Sequence, residues 1–199
     1  SIESLYTGTP REHPVVLALQ SAIHTHDLPS DHLNALIDAR EADLEDTPPP
    51  DLGALEVYAR STSGELLALV MHCLANGNAM AAEAGRDVGT AWAIVGLARA
   101  VGFHAQTQRL YIPEDLLCEY EVERRKLFDL KSSPGLNRAI EAMVTRAENL
   151  LSDARARSGG IPKLARRGLI LARMVDRHIA AIRKVGYDPF AIPPARPAP

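Results

Sequence analysis

Helical periodicity runs through nearly every segment of this chain, and no stretch alternates convincingly at period two, so the fold class expected is all-α. Alanine, leucine, arginine and glutamate dominate, and all four are good helix formers. A first helix is expected from about Pro14 to Ile23, with proline at an early position. Asp31 is placed to cap a second that passes Leu33, Leu36 and Ile37 on the way to Leu44. Thr47-Pro48-Pro49-Pro50 stops it, because proline cannot continue a helix. Asp51 caps a third, which runs through Leu55, Tyr58, Leu66, Leu69 and Val70 to Leu74 and holds a small-residue patch, Ser61-Thr62-Ser63-Gly64, in its middle. A fourth spans Ala79 to Val101, a loop covers Gly102 to Pro113, and Pro113-Glu114-Asp115 starts a fifth. A sixth runs from Ser133 to Arg157 and breaks at Gly159-Gly160; Ile161-Pro162 opens a seventh that reaches Val185. The expected architecture is a bundle of about seven mostly antiparallel helices with short connections. It forms one domain over residues 1–190, followed by a proline-rich tail at 191–199 that cannot pack regularly.

At 199 residues the chain is long enough for one sizeable core. Its 22 basic and 25 acidic residues leave a net charge of −3, which provides no global field for nucleic acid. Cys73 and Cys118 lack zinc-site spacing; two free core thiols in a reducing compartment are the expectation, with a single disulfide the alternative. No run approaches the roughly 20 apolar residues of a membrane span. Ser1 in place of methionine leaves room for a longer N-terminal region or a removed leader.

Several clusters have an ordinary reading. Asp38, Glu41, Asp43, Glu45 and Asp46 lack the D-x-x-x-D spacing of a metal motif and read as a solvated helix face, with Asp43 the one placed to point inward. His24 and His26 alternate at a helix end and point to different sides, so they, with His13 and His32, do not make a metal site. Arg124-Arg125-Lys126 and Arg166-Arg167 read first as solvated faces and second as contacts for anionic lipid headgroups. No nucleophile elbow or phosphate-binding loop is present.

The most informative stretch is Gly89 to Leu117, GTAWAIVGLARAVGFHAQTQRLYIPEDLL. Three other blocks accompany it in order: Leu36 to Leu44, Tyr58 to Gly64 (YARSTSG), and Val185 to Phe190 (VGYDPF). Together they resemble the squalene/phytoene synthase family, whose corresponding segment has the form N-I-L-R-D-V-G-E-D followed by a basic linker and Y-L-P. The resemblance implies an isoprenoid-synthase helical bundle around a central cavity, lacking the family's N-terminal helices. In that family two acidic motifs hold magnesium, which neutralises the departing diphosphate. The first motif would lie upstream of this chain. At the second, Gly96 and Phe103 stand where the family has asparagine and glutamate, and Ala100 and His104 stand where it has its aspartates. Neither is a good ligand for a hard cation, so no metal, cofactor or catalytic residue is expected.

Gly96 to Ala105, GLARAVGFHA, is similar to a non-catalytic subgroup that includes respiratory complex I assembly factors of phytoene-synthase type. The resemblance implies a role by binding, in assembly or as part of a membrane respiratory complex. The expected location is the bacterial cytoplasm at the inner membrane or the matrix side of the mitochondrial inner membrane. A protein partner is implied, with a lipid or isoprenoid in the cavity as a further ligand. The alternatives are a prenyl-diphosphate-condensing transferase whose first motif lies on another chain or segment, and a lipid-binding protein. His104 reads foremost as a helix C-terminal residue filling the space of the lost ion; the functional alternative is an anion or headgroup contact formed with Arg99, Arg109 and Tyr111. Absent N-terminal helices would leave apolar faces uncovered, so an apolar surface awaiting a partner is expected.

Overall fold

The computed structural model describes residues 2–8, 11–44 and 47–192, and among them there are helices and turns but no strand. The helices are α1 (Glu3–Thr7), α2 (Pro14–His26), α3 (Ser30–Asp38), α4 (Leu52–Ala59), α5 (Glu65–Leu74), α6 (Ala79–Arg99), α7 (Val101–Gln106), α8 (Glu114–Glu119), α9 (Arg124–Phe128), α10 (Pro134–Ala156) and α11 (Leu171–Lys184). A π-helical turn, Arg60–Gly64, joins α4 to α5, and 3-10 turns cover Ala39–Leu44, Arg157–Gly160 and Ala165–Ile170.

Each long rod expected from periodicity is present, and the differences lie at ends and breaks. Pro14 opens α2, capped by His13, whose ring accepts from the Val15 amide. Asp51 caps α4 through the Ala54 amide, and Ser133 caps α10 through the Leu136 amide. Asp31 is not a cap: Pro29 occupies that position and Asp31 sits in the first turn of α3, where its charge meets the positive helix end. The expected loop from Gly102 is helical as far as Gln106, because the chain bends at Ala100 (φ −87°, ψ 3°) and resumes. The seventh rod begins as a 3-10 turn and becomes α-helical only at Leu171. Residues 193–199 of the tail, together with Glu45, Asp46 and Ser1, lie outside the described residues.

Helix α6 is the axis of the bundle. Ala81, Ala84, Val88, Ala91, Ile94, Val95 and Ala98 are all buried, alongside Gly85 and Gly89, so it is covered around most of its circumference by α4, α5, α10 and α11. Its small residues permit close approach. A Cβ on Gly89 would lie 2.8 Å from the Ser63 carbonyl carbon and 2.9 Å from the Gly64 Cα, so only glycine lets α6 rest on the π-helical turn. The amphipathic α10 supplies Leu136, Ile140, Met143, Val144 and Leu151 to the same core. A smaller cluster, Leu5, Ile23, Leu28, Leu33 and Leu69, fixes α1–α3 against α5.

Charged side chains cross this interface too. Arg86 on α6 pairs with Glu83 and donates through Nε to Glu65 at 2.6 Å, and Glu65 also pairs with His32. Arg60 donates to Glu83 at 2.5 Å, and Arg157 pairs with the buried Asp87. Burial raises the Glu65 carboxyl pKa, but hydrogen bonds from Arg86 and His32 outweigh that and hold it below the ordinary value. For Asp87 burial wins over Arg157, and its pKa is raised. Both cysteines are free thiols, but neither is a core residue: Cys73 is half-buried and Cys118, near the end of α8, is exposed.

Candidate functional site

The site is built where α6 ends. Ala100, half-buried, closes the helix, and the bend there turns α7 so that Phe103 and His104 face different surroundings. Phe103 is 70% exposed. Gly96, one turn before Ala100, is also exposed, with no atom within 4 Å of where a Cβ would stand. His104 turns inward: its ring centroid lies 4.8 Å from that of Tyr111 and 5.5 Å from that of Phe103. Gly102, just before Phe103, lies beneath Phe190, so the closing VGYDPF segment packs onto α7.

Around Tyr111 the structure gathers residues distant in sequence. Tyr58 stacks at 6.0 Å between centroids, and the Arg109 guanidinium sits 5.4 Å from the Tyr111 ring centre. Arg109 also donates to the Asp43 backbone carbonyl. The Asp43 carboxylate accepts from the Tyr58 hydroxyl at 2.6 Å and from Arg40 at 3.1 Å. Asp43 therefore does point inward, and it fixes the Tyr58 ring. Burial raises the Asp43 carboxyl pKa, yet the Tyr58 and Arg40 hydrogen bonds and the Arg40 and Arg109 charges bring it below the ordinary value. Tyr58 is raised well above a free phenol, first by burial and then by that carboxylate. A pocket of about 220 Å³ opens here between the Pro48–Pro50 run and the Tyr58 and Tyr111 rings, with Arg109 at its edge. The proline run is tied in place by the Glu114 and Asp115 amides, which donate to the Pro49 and Pro50 carbonyls.

The structure thus brings His104, Arg109 and Tyr111 together and sends Arg99 elsewhere. Arg99 points to α11, its Nη1 lying 3.3 Å from His178 Nε2, while the His178 ring stacks at 5.6 Å on Trp92. Sequence reasoning did not place Tyr58 or Arg40 at this site, although the inward Asp43 and the YARSTSG block were the available signals. His24 and His26 are exposed at the end of α2. Among the described residues, no three histidine, cysteine or acidic side chains converge to hold a metal ion. Asp43, the carboxylate in this cluster, has both oxygens committed. Chemically the arrangement is a place where an apolar or aromatic group can stack beside fixed positive charge.

Burial, followed by the Arg109 charge, holds His104 below the ordinary imidazole value of 6.5. Burial and the Arg99 and Arg177 charges do the same to His178. Both rings are therefore neutral at pH 7. A histidine whose pKa falls on folding contributes stability that is complete above its unfolded value and lost as pH drops through the folded one. Thermal stability should accordingly decline from about pH 6.5 downward, and His104→Phe should flatten part of that decline. Unfolding midpoints across pH, with NMR titration of the two rings, read this directly; a His104 pKa above 6.5 would contradict it.

Comparison with known proteins places this geometry. The squalene/phytoene synthase family model matches residues 1–198. The chain is 25% identical over 190 residues to the mouse (Mus musculus) NADH dehydrogenase (ubiquinone) complex I assembly factor 6, covering 96% of this chain and 57% of that protein. It is also 25% identical to the phytoene synthase of Rhodobacter capsulatus, covering 94% of this chain and 56% of that one. The chain thus spans little more than half the length of these relatives. Among solved structures, the squalene synthase HpnC from Alicyclobacillus acidocaldarius superposes with a TM-score of 0.86 at 23% identity, covering 94% of this chain and 72% of that one. A dehydrosqualene synthase superposes with a TM-score of 0.87 at 19% identity, covering 98% and 69%. The fold is an isoprenoid-synthase-type helical bundle.

Proposed function

The chain belongs to the squalene/phytoene synthase family, and from that premise we propose that it acts by binding, in the assembly of a respiratory complex at the inner membrane, and not by joining prenyl diphosphates. The observation that carries this reading is the chemistry at the end of α6. Gly96, Ala100 and His104 offer no carboxylate, and His104 is a neutral ring packed against Tyr111 beside a guanidinium. Such a surface repels a divalent cation and lacks the hard oxygen donors magnesium requires. The relatives named as complex I assembly factor 6 supply the class of partner. In this reading residues 1–190 are the working unit, Phe103 is the exposed apolar anchor, and His104, Arg109 and Tyr111 form the firm ground behind it.

Two outcomes test it together. Incubation with farnesyl diphosphate and magnesium should give no condensed product, and removal of the gene from its source organism should lower the amount of assembled complex I. Phe103→Ala should leave stability within about 0.5 kcal/mol while weakening complementation, since exposed side chains away from special features cost little to remove. Product formation from the diphosphate would overturn the reading in favour of the second one, a condensing transferase whose first acidic motif lies outside this chain. That second reading draws on the phytoene synthase relative. A lipid or isoprenoid in the 220 Å³ pocket beside Arg109 is compatible with either.

A further inference from the structure

The segment between Asp153 and Asp176 contains six basic residues and no acidic one. Two of the six are committed to carboxylates, Arg155 to Asp176 and Arg157 to Asp87. The remaining four, Lys163, Arg166, Arg167 and Arg173, surround one open depression of about 410 Å³ on the surface formed by the last 3-10 turn and the start of α11. Among the described residues none of the four has an ion-pair partner; Arg166 spends its Nε on the Ile161 carbonyl at 2.9 Å, which holds the turn. The same surface carries large apolar side chains that no described residue covers. Leu164 is 71% exposed and Ile170 67%, with Met174 one turn beyond Ile170 also exposed. The apolar strip continues onto α5, where Leu74 lies against Gly168 and is followed by exposed Val70 and Leu66 at four-residue spacing.

We propose that this face, basic around Lys163, Arg167 and Arg173 and apolar along Leu164 and Ile170, is where the protein lies against an anionic phospholipid bilayer. The charge pattern decides the occupant. A second copy of this chain would bring a net charge of −3 spread over mixed surfaces and the same basic face, whereas a bilayer presents a continuous negative plane with an apolar layer beneath it. Cationic heads at the level of the phosphates and short apolar side chains reaching below them is the arrangement of an interfacial segment. No helix of the described residues is long and apolar enough to cross a membrane, and the proposed contact is made by a surface face. The inference sharpens the location given above and rests on that reading only for the membrane concerned.

Vesicle flotation tests it, with equimolar phosphatidylglycerol and phosphatidylcholine against phosphatidylcholine alone. The protein should float with the anionic vesicles and not with the neutral ones. Binding should vanish near 1 M salt, where the screening length shrinks to about 3 Å. The triple variant Lys163→Gln, Arg167→Gln, Arg173→Gln should bind on the order of 100-fold more weakly, each charge near the surface being worth about fivefold. Leu164→Ser with Ile170→Ser, on exposed positions that do not threaten folding, should weaken binding while keeping its dependence on phosphatidylglycerol. Equal binding to both vesicles, or unchanged binding by the triple variant, would overturn the proposal. So would self-association in sedimentation that disappears in the Leu164/Ile170 variant without any lipid binding, which would assign the face to a second copy. Because no protein partner takes part, failure of the vesicle assay leaves the assembly role standing, and failure of the assembly test leaves this surface standing.

Discussion

Replacing Gly89 with alanine is expected to lower the unfolding free energy by about 3 kcal/mol or more, and the thermal midpoint by roughly 6–12 °C. The added methyl would fall on the Ser63 carbonyl and the Gly64 Cα, which are backbone atoms and cannot swing aside. The bundle would have to part α6 from the π-helical turn, and α6 is the helix on which α4, α5, α10 and α11 all rest. Gly96→Ala, seven residues further along α6, is the matched control. It sits in open space, so the same substitution there should stabilise by about 0.5–1 kcal/mol through helix propensity alone. Denaturant unfolding of the two variants side by side gives the comparison. A Gly89→Ala loss no larger than about 1 kcal/mol would mean that the close crossing is not what holds the bundle.

Arg86→Ala should cost about 3–5 kcal/mol, because it removes the one guanidinium that bridges the Glu65 and Glu83 carboxylates and leaves Glu65 without a permanent positive charge. The Arg86 and Glu65 side chains are 12% and 13% exposed, so water cannot replace the lost charge effectively. Glu83 keeps Arg60, but Glu65 keeps only His32, whose positive charge depends on protonation. The linkage adds a pH signature. Glu65 and Glu83 have pKa values depressed by folding, so their contribution is complete above the ordinary carboxylate range and is lost as pH falls through the folded values. Asp87 runs the other way: its raised pKa means that acid relieves part of its burial cost. Removing Arg86 should therefore make the protein less stable at neutral pH than in mild acid relative to the parent. Pairing Arg86→Met with Glu65→Gln should recover much of the loss, since a neutral pair carries no stranded charge. If Arg86→Ala alone unfolds no more easily than the double variant, the network is not coupled as drawn.

Residues near the helix ends mark the limit of what could be read from the chain. The rods of α2, α6 and α10 were legible because an apolar stripe of helical period is set by burial, and the Asp51 and Ser133 caps because a short polar side chain satisfies a free amide. The helical continuation through α7 was not, because Gly102 within it reads as a breaker; in the fold it is the space Phe190 occupies. Asp31 looked like a cap for want of a rule separating a capping acid from a first-turn acid. At the site, the short separation of His104, Arg109 and Tyr111 along the chain was enough to group them. Arg99 went to His178, and nothing local could announce it, because His178 comes from a helix 79 residues away. The Asp43–Tyr58 bond is likewise a product of tertiary packing.

The wide turn at Arg60–Gly64 also has a consequence for how this molecule can vary. One surplus residue per widened turn offsets everything beyond it by about 100° around the rod axis. Upstream and downstream halves of that rod are consequently out of phase, so Leu55 and Ala59 on one side and Ala68 and Met71 on the other can all meet the same neighbour. Shortening the stretch by a single position would straighten the rod and rotate Leu66, Val70 and Leu74 away from the surface they now share. Length at this spot is thus held as tightly as composition, and homologous chains that conserve the outward strip should also conserve the count of residues between Tyr58 and Glu65.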